Sequence, residues 1–434
     1  MLYFLAKAIM WPATQVFFRR MVISGAEHIP KNKPVILIAN HSASFLDAIV
    51  VGLLIRRPMY FLARSDVFKP RAKKYMKGVH MIPIYNAEHS KEDLSRNMET
   101  FAEGEEVLRQ KKILMIFPEG ISRRERILLP LKKGTARIAF HTVSTHGFDI
   151  GLEVIPVGIN YSFHRFRASV VVSVGDSTAI ADYKTMYEEN PAKAINVLTR
   201  ELQEKFSNTV LYVDQAERTD LINQLLEYFR NDAIHRSDYR KKDLVIREEK
   251  SIADDVSEMD DDTASDVTES VFRYTHKLSN LRLNDRSIIH RYHSIFFHFF
   301  GLILGLPVTL CGAATGIVPV LLAKYIADKK VKRIDWYTSV SCVLGGMLFD
   351  IWFILLLIVS AFVQQWWFFI AVLLSPLTIY LAIQWWEAFK IFTAHARYLF
   401  LRNAKPQVIK DLEDLRNEFS FWRTNKNLRR RLFR

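Results

Sequence analysis

From Thr338 to Val363 about 26 consecutive residues carry a single charge, Asp350, and that run limits the chain more than any other feature. A segment so long and apolar can cross a bilayer as a helix, the conformation in which its backbone satisfies its own hydrogen bonds. Trp366–Phe392 is similar in length, with Glu387 and Lys390 near its end, and only Gln364-Gln365 separates the two. The segment "KYIADKKVKRID" (Lys324–Asp335) is basic, as is the tail with Arg429-Arg430-Arg431 and Arg434. The positive-inside tendency therefore puts both on the cytoplasmic side and the Gln pair outside. A third apolar block, Ile295–Leu322, is interrupted by Pro307, Pro319 and glycines at 301, 305, 312 and 316. That punctuation predicts a re-entrant hairpin that returns to its own side in preference to a single span. Asp350 is a functional candidate by its position, with a helix–helix hydrogen bond as the plainer alternative.

The first half has a different texture, with charged and apolar residues mixed as in soluble domains, so the chain reads as a soluble domain followed by a membrane domain. Met1–Phe18 is apolar and aromatic with Lys7 its only charge, and Arg19-Arg20 follow. A signal peptide carries its positive charge first, so this segment is expected to stay as a helix on or dipping into the membrane. The net charge of +14 suits an anionic membrane surface or a phosphorylated substrate. Nucleic acid is not expected as a partner, because no basic groove with interleaved aromatics is visible. Cys311 and Cys342 both lie in apolar blocks, which argues against a disulfide framework or a zinc site and leaves the soluble half without a cysteine nucleophile.

Five short β-branched or aromatic runs bounded by turn residues predict strands at Val35–Ala39, Met59–Ala63, Ile113–Phe117, Val154–Ile159 and Val170–Val174. Helical spacing appears between them at Ser90–Gln110 and after them from Ala192 to Arg230, so the expected fold is α/β, a mixed sheet flanked by helices, with a C-terminal α-helical transmembrane domain. Ala253–Ser270 holds many acidic residues and little to bury, and reads as a flexible linker; the glycine of a calcium-binding EF-hand turn is missing. The boundaries that follow are a membrane-associated helix at 1–22, a catalytic domain at 23–215, a helical and acidic linker at 216–293, a membrane domain at 294–400 and a basic cytoplasmic tail at 401–434.

Three buried strands empty into polar residues, which brings those residues to the carboxyl edge of the sheet, where ligands bind in open α/β folds. The first leads to "ANHSASFLDA" (Ala39–Ala48), with His41 and Asp47. An imidazole can take a proton from an alcohol while a carboxylate on its other nitrogen fixes the tautomer; a capping aspartate beside an ordinary histidine is the plainer alternative. The second leads to Pro-Glu-Gly, then Ser122, Arg123, Arg124 and Arg126, then Lys132-Lys133-Gly134 opening a helix, a pattern that suits phosphate, with a solvated basic face as the alternative. The third leads to Asn160, His164, Arg165 and Arg167.

In order and spacing, Asn40-His41…Asp47, "GVHMIPI" (Gly78–Ile84), Phe117–Gly120 and Val154–Val157 resemble the motif blocks of the glycerolipid acyltransferase superfamily over about residues 30–180. Five residues rather than four separate His41 from Asp47, and with "NYSFHRFRASVVV" and the C-terminal membrane domain this looks like the subgroup of fungal glycerol-3-phosphate/dihydroxyacetone-phosphate acyltransferases and their bacterial relatives. The resemblance implies the acyltransferase fold, with His41 as general base on the acceptor hydroxyl and Asp47 orienting it. It also implies Glu119 and Gly120 at the glycerol part of the acceptor, and Arg124, Arg126 and Lys132 at its phosphate. The arginine that relatives use for this phosphate in the second block falls near Ile84 or Asn86 here. No cofactor and no metal are expected. The implied partners are an acyl-CoA or acyl carrier protein thioester, glycerol-3-phosphate or 1-acylglycerol-3-phosphate, and the bilayer. The implied location is a bacterial inner membrane or the endoplasmic reticulum, with the catalytic domain facing the cytoplasm. Another lyso-lipid acceptor and a non-catalytic lipid-binding protein are the alternatives.

Overall fold

The computed structural model describes residues 1–65, 68, 73–85, 91–235, 242–289 and 295–418. Asn86 and the basic tail beyond 418 lie outside the described residues. The chain divides into two units, one made of Met1–Tyr212 with Lys324–Gly346, the other of Val213–Ala323 with Met347–Arg434.

The first unit is built on eight strands: β1 Arg20–Ser24, β2 Val35–Ala39, β3 Met59–Arg64, β4 Met81–Ile84, β5 Ile113–Ile116, β6 Glu153–Tyr161, β7 Ser169–Val174 and β8 Thr178–Ala179. They lie in the order β1-β7-β6-β2-β5-β3-β4, with β8 on β6. All pairs are parallel except β6 with β7 and β6 with β8, so the sheet is mixed, as expected. The helices are α1 Leu2–Phe17, α2 Phe45–Leu54, α3 Lys73–Gly78, α4 Lys91–Arg109, α5 Gly134–His146, α6 Lys184–Glu189 and α7 Pro191–Ser207. Because β2 is central and covered on both faces, its sequence is apolar at every position and its alternate side chains serve different cores. Val35, Leu37 and Ala39 pack with Tyr3, Phe17, Leu46 and Val50, while Ile36 and Ile38 pack with Leu108, Phe140, Leu198 and Phe206. All five expected strands form. β1 and β4 carry no comparable sequence signal, being half-buried edge strands, and β4 holds Pro83, which an edge tolerates.

The second unit is helical, with α8 Thr219–His235, α9 Lys242–Ser257, α10 Asp261–Asn280, α11 Asp285–Ile289, most of α12 Ile295–Lys330, the end of α13 Ile334–Val363, α14 Trp366–Leu373, α15 Ser375–Ala404 and a helix at 406–418. Two expectations fail here. Ala253–Ser270 is not a flexible linker: it finishes α9 and begins α10, whose N-terminus Asp260 caps by accepting from Thr263 N. Ala264, Val267, Val271, Tyr274 and Leu278 form a buried stripe at helical spacing, and Asp261, Asp262, Asp266 and Glu269 occupy the solvent face of α10, while Asp255 in α9 is buried.

Ile295–Leu322 is likewise not a hairpin, because α12 runs unbroken through Pro307 and Pro319. Its glycines serve packing. A Cβ on Gly312 would stand 2.3 Å from the Thr378 carbonyl oxygen, and one on Gly316 2.5 Å from Ile379, so these positions let α12 press against α15. α12 and Trp336–Val363 are long and apolar enough to cross a membrane, and α14 with α15, bent by 60°, would make a third span if taken as one. The break therefore falls in the last block instead of the first.

Candidate active site

β5, β2 and β6 are neighbours and run parallel, so their carboxyl ends open on the same edge. That edge receives Phe117–Gly120 from β5, Asn40 and His41 from β2 and Tyr161 from β6. Asn40 joins two of these ends, its Nδ2 donating to Ile159 O at 3.0 Å and its Oδ1 accepting from Ile159 N at 2.6 Å. Arg123 N donates to His41 O at 2.9 Å and fastens the third.

Asp47 sits in the first turn of α2 and is fully buried. Its Oδ2 lies 2.9 Å from His41 Nδ1 and accepts from Ala43 N at 2.9 Å, while its Oδ1 accepts from Tyr161 Oη at 2.8 Å. One carboxylate thus ties down the start of α2 and fixes the imidazole ring at the same time. The ring of His41 stacks on Phe117 with centroids 4.1 Å apart. With Nδ1 engaged, Nε2 is left as the nitrogen that can accept a proton.

His41 opens onto a narrow, solvent-connected cleft that Asn40, Glu119, Arg124, Arg126 and His164 help to line. Glu119 is buried, and its Oε1 has no hydrogen-bond partner among the described residues. Burial, reinforced by the negative charge of Asp47 and opposed by Arg123, pushes its carboxyl up to about 8, so it is a proton-bearing acid at neutral pH. His164 is half-buried beside Arg126 and Arg124, and burial together with these cations pushes it down to about 3, which keeps it neutral. Arg124 is exposed, whereas Arg126 is half-buried and donates to Tyr161 O, so part of its guanidinium already joins the two walls.

Gly120 has φ of +76°, a conformation that favours glycine, and a Cβ there would come within 2.9 Å of Lys132 Nζ. The Lys132 side chain therefore lies over Gly120, though it does not line the cleft itself. The structure brings His41, Glu119, Arg124 and Arg126 together around the cleft, with Asp47 bonded to His41. The sequence assigns no individual role to Tyr161 or Phe117. Tyr161 becomes visible only once β6 is known to lie beside β2, and Phe117 reads in sequence as the last residue of a strand, whereas β5 ends at Ile116. Among the described residues no three His, Cys, Asp or Glu side chains gather as a metal site.

Residues 20–160 match the family model described as Acyltransferase. Over 109 residues, 24% of this chain, the sequence is 33% identical to glycerol-3-phosphate O-acyltransferase 2 of Saccharomyces cerevisiae, of which the match covers 14%. Over 161 residues, 37% of this chain, it is 22% identical to the 1-acyl-sn-glycerol-3-phosphate acyltransferase of Borreliella burgdorferi, of which it covers 59%. The chain thus spans less than two thirds of the length of either relative. The crystal structure of the 1-acyl-sn-glycerophosphate acyltransferase from Thermotoga maritima aligns with 47% of this chain and 80% of that one, at 22% identity and a TM-score of 0.33. The match to the Acyltransferase family model thus runs from the first strand of the sheet to Asn160 in β6, and so across His41, Asp47 and the Pro-Glu-Gly loop.

Proposed function

We propose that this protein is a membrane-bound O-acyltransferase that moves a fatty acyl group from an acyl thioester to a hydroxyl of glycerol-3-phosphate or 1-acylglycerol-3-phosphate. The observation that carries the reading is the buried Asp47 carboxylate bonded to the one His41 nitrogen that the cleft does not need. In this scheme His41 Nε2 takes the acceptor's hydroxyl proton as that oxygen attacks the thioester carbonyl. The tetrahedral intermediate collapses with loss of the C–S bond, and the imidazolium returns its proton to the departing thiolate, so no acyl-enzyme forms. Glu119, holding its proton, can donate a hydrogen bond to a glycerol oxygen of the acceptor, and Gly120 beside it lets the Lys132 side chain come in over the same loop. Arg124, Arg126 and Lys132 supply the charge for its phosphate.

Glycerol-3-phosphate is the favoured acceptor, supported by the five-residue spacing and by the yeast relative; the bacterial relative keeps the lyso-lipid in play. The apolar face of α1, with Leu2, Phe4, Leu5, Ile9 and Trp11 exposed, and the long apolar helices suit an enzyme whose product stays in the bilayer. The donor, acyl-CoA or acyl carrier protein, is water-soluble and meets the acceptor on the cytoplasmic face. A non-catalytic lipid-binding role is the second reading, favoured by the lack of an arginine near Ile84 or Asn86, where the resemblance to the family leads one to look for it.

The test is acyl transfer by purified protein in lipid, with radiolabelled thioesters of both kinds and the two acceptors offered separately. A positioned base contributes about 10²–10⁴-fold, so His41→Ala should lower turnover by that factor. Product with one acceptor, lost in the variant, names the reaction; no product with folded protein under any pairing removes this proposal in favour of the second reading.

A further inference from the structure

The start of α13 belongs to the α/β unit, and two of its buried hydroxyls lie against the walls of the cleft. Ser339, fully buried, donates from Oγ to Ala43 O and accepts from Leu46 N at 3.4 Å. Thr338, its neighbour, donates to His164 O at 2.9 Å. Trp336, one turn earlier, meets Phe45 edge to face with centroids 6.1 Å apart. A helix that otherwise reads as the beginning of a membrane span therefore reaches the loop between His41 and Asp47.

That loop needs outside support. Ser44, which precedes α2, has φ of 49° and ψ of −136°, a strained setting for a residue with a side chain, and its own hydroxyl caps nothing. Helix starts leave N–H groups unsatisfied, and the usual remedy is an oxygen from the capping side chain onto the second or third helical N–H. Leu46 N, on the second residue of α2, already donates to Ala43 O at 3.1 Å, and Ser339 Oγ, about 290 residues away in sequence, stands at 3.4 Å as a second acceptor on the side where a cap oxygen would come. The same hydroxyl closes on Ala43 O, whose residue also gives its N–H to Asp47. Ser339 thus grips both sides of the strained residue and sets where α2 begins, and with it the position of the Asp47 carboxylate.

We propose that Ser339 is a positioning residue for the His41–Asp47 pair, supplied to the active site by the helix that leads into the apolar C-terminal half. The kinetic consequence rests on the acyl-transfer reading above; the consequence for the loop rests on geometry alone. A carboxylate displaced by about 1 Å can cost on the order of 10²-fold in rate.

The experiment uses the full chain in lipid with Ser339→Ala, Ser339→Thr, Asp47→Asn and the Ser339→Ala/Asp47→Asn double variant. Turnover and backbone hydrogen exchange by mass spectrometry are both measured. Ser339→Ala is expected to lower kcat by about 10- to 100-fold with KM for both substrates within about twofold, and Ser339→Thr to recover most of it. In the Asp47→Asn background, where orientation is already lost, Ser339→Ala should cost less than about threefold, because residues acting through one another are not additive. Exchange should quicken at residues 43–47 and stay unchanged in β2, β5 and β6. A full multiplicative loss in the Asp47→Asn background, or unchanged kcat with unchanged exchange at 43–47, overturns the proposal. If the wild-type chain transfers no acyl group, the functional reading has failed on its own; faster exchange confined to 43–47 then upholds the role of Ser339, and unchanged or global exchange refutes it.

Discussion

Each unit contains a buried aspartate that accepts a hydrogen bond from a buried tyrosine, and the two differ in what completes the set. Asp47 has Tyr161 Oη, Ala43 N and His41, a group that can gain and lose a proton and that faces a cleft. Asp285 has Tyr274 Oη at 2.7 Å, Asn231 Nδ2 at 2.8 Å and Arg416 Nε at 2.8 Å, and Arg416 turns its other arm to Asp232. A guanidinium never gives up its charge in a protein, so the second cluster neutralises its carboxylate permanently and joins α8, α10, α11 and the 406–418 helix. In the first, the carboxylate gains its fullest partner only while the imidazole holds a proton. One arrangement is a fastening; the other holds an imidazole whose second nitrogen faces a cleft, as the proposed proton transfer requires.

Substitution should separate the two. Asp47→Asn puts an amide where a carboxylate fixes the imidazole, and turnover should fall by about 10²–10⁴-fold, measured as acyl transfer with saturating substrates. Arg416→Met leaves Asp285 buried without its cation and should cost about 3–5 kcal/mol, read from denaturant unfolding, with turnover below the transition within about twofold of wild type. If Arg416→Met silenced turnover while stability held, or Asp47→Asn unfolded the protein and spared its rate, the contrast would be drawn in the wrong place.

The second unit can be probed further at α10. Val267→Ala removes two buried methyl groups and should cost about 1–2 kcal/mol in the same unfolding measurement, whereas Asp266→Asn on the exposed face should change stability by less than about 0.5 kcal/mol. Equal effects would return the segment to the status of a solvated linker.

The sheet edge was legible because parallel, doubly covered strands must be apolar throughout, so the point where Ile38-Ala39 gives way to Asn40-His41 is sharp. The same holds at Ile116 before Phe117–Gly120. In Ala253–Ser270 the acidic residues drew attention away from a stripe of one residue in every three or four, which composition alone conceals. In α12 the glycines and prolines looked like breakers, because sequence shows a small residue but not the neighbouring helix that it lets in. Ser339 carries no signal at all: a serine in an apolar helix has meaning only when Ala43 and Leu46 are seen beside it. The pair was readable and its support was not, because the support arrives from the far end of the chain.

A third buried carboxyl, Glu119, sharpens the comparison by its protonation, having neither the donor set of Asp47 nor the guanidinium of Asp285. Burial, with Asp47 behind it, raises its carboxyl to about 8 despite Arg123. Below the ordinary carboxylate range the group is protonated whether the chain is folded or not, and it costs nothing. Between that range and about pH 8 the folded state keeps a proton that the unfolded state has released, so the stability contributed is lost as pH rises through this window. Glu119→Gln has no such proton, and its unfolding free energy relative to wild type should improve from pH 5 to pH 8 and then level off. The same proton governs the site if it is donated to the acceptor. Wild-type KM for the acceptor should then rise a few-fold as pH passes about 8, while Glu119→Gln, whose amide donates at every pH, should show a flat profile. A variant that kept the alkaline rise would assign it to another group and leave Glu119 as a buried acid that the acceptor does not touch.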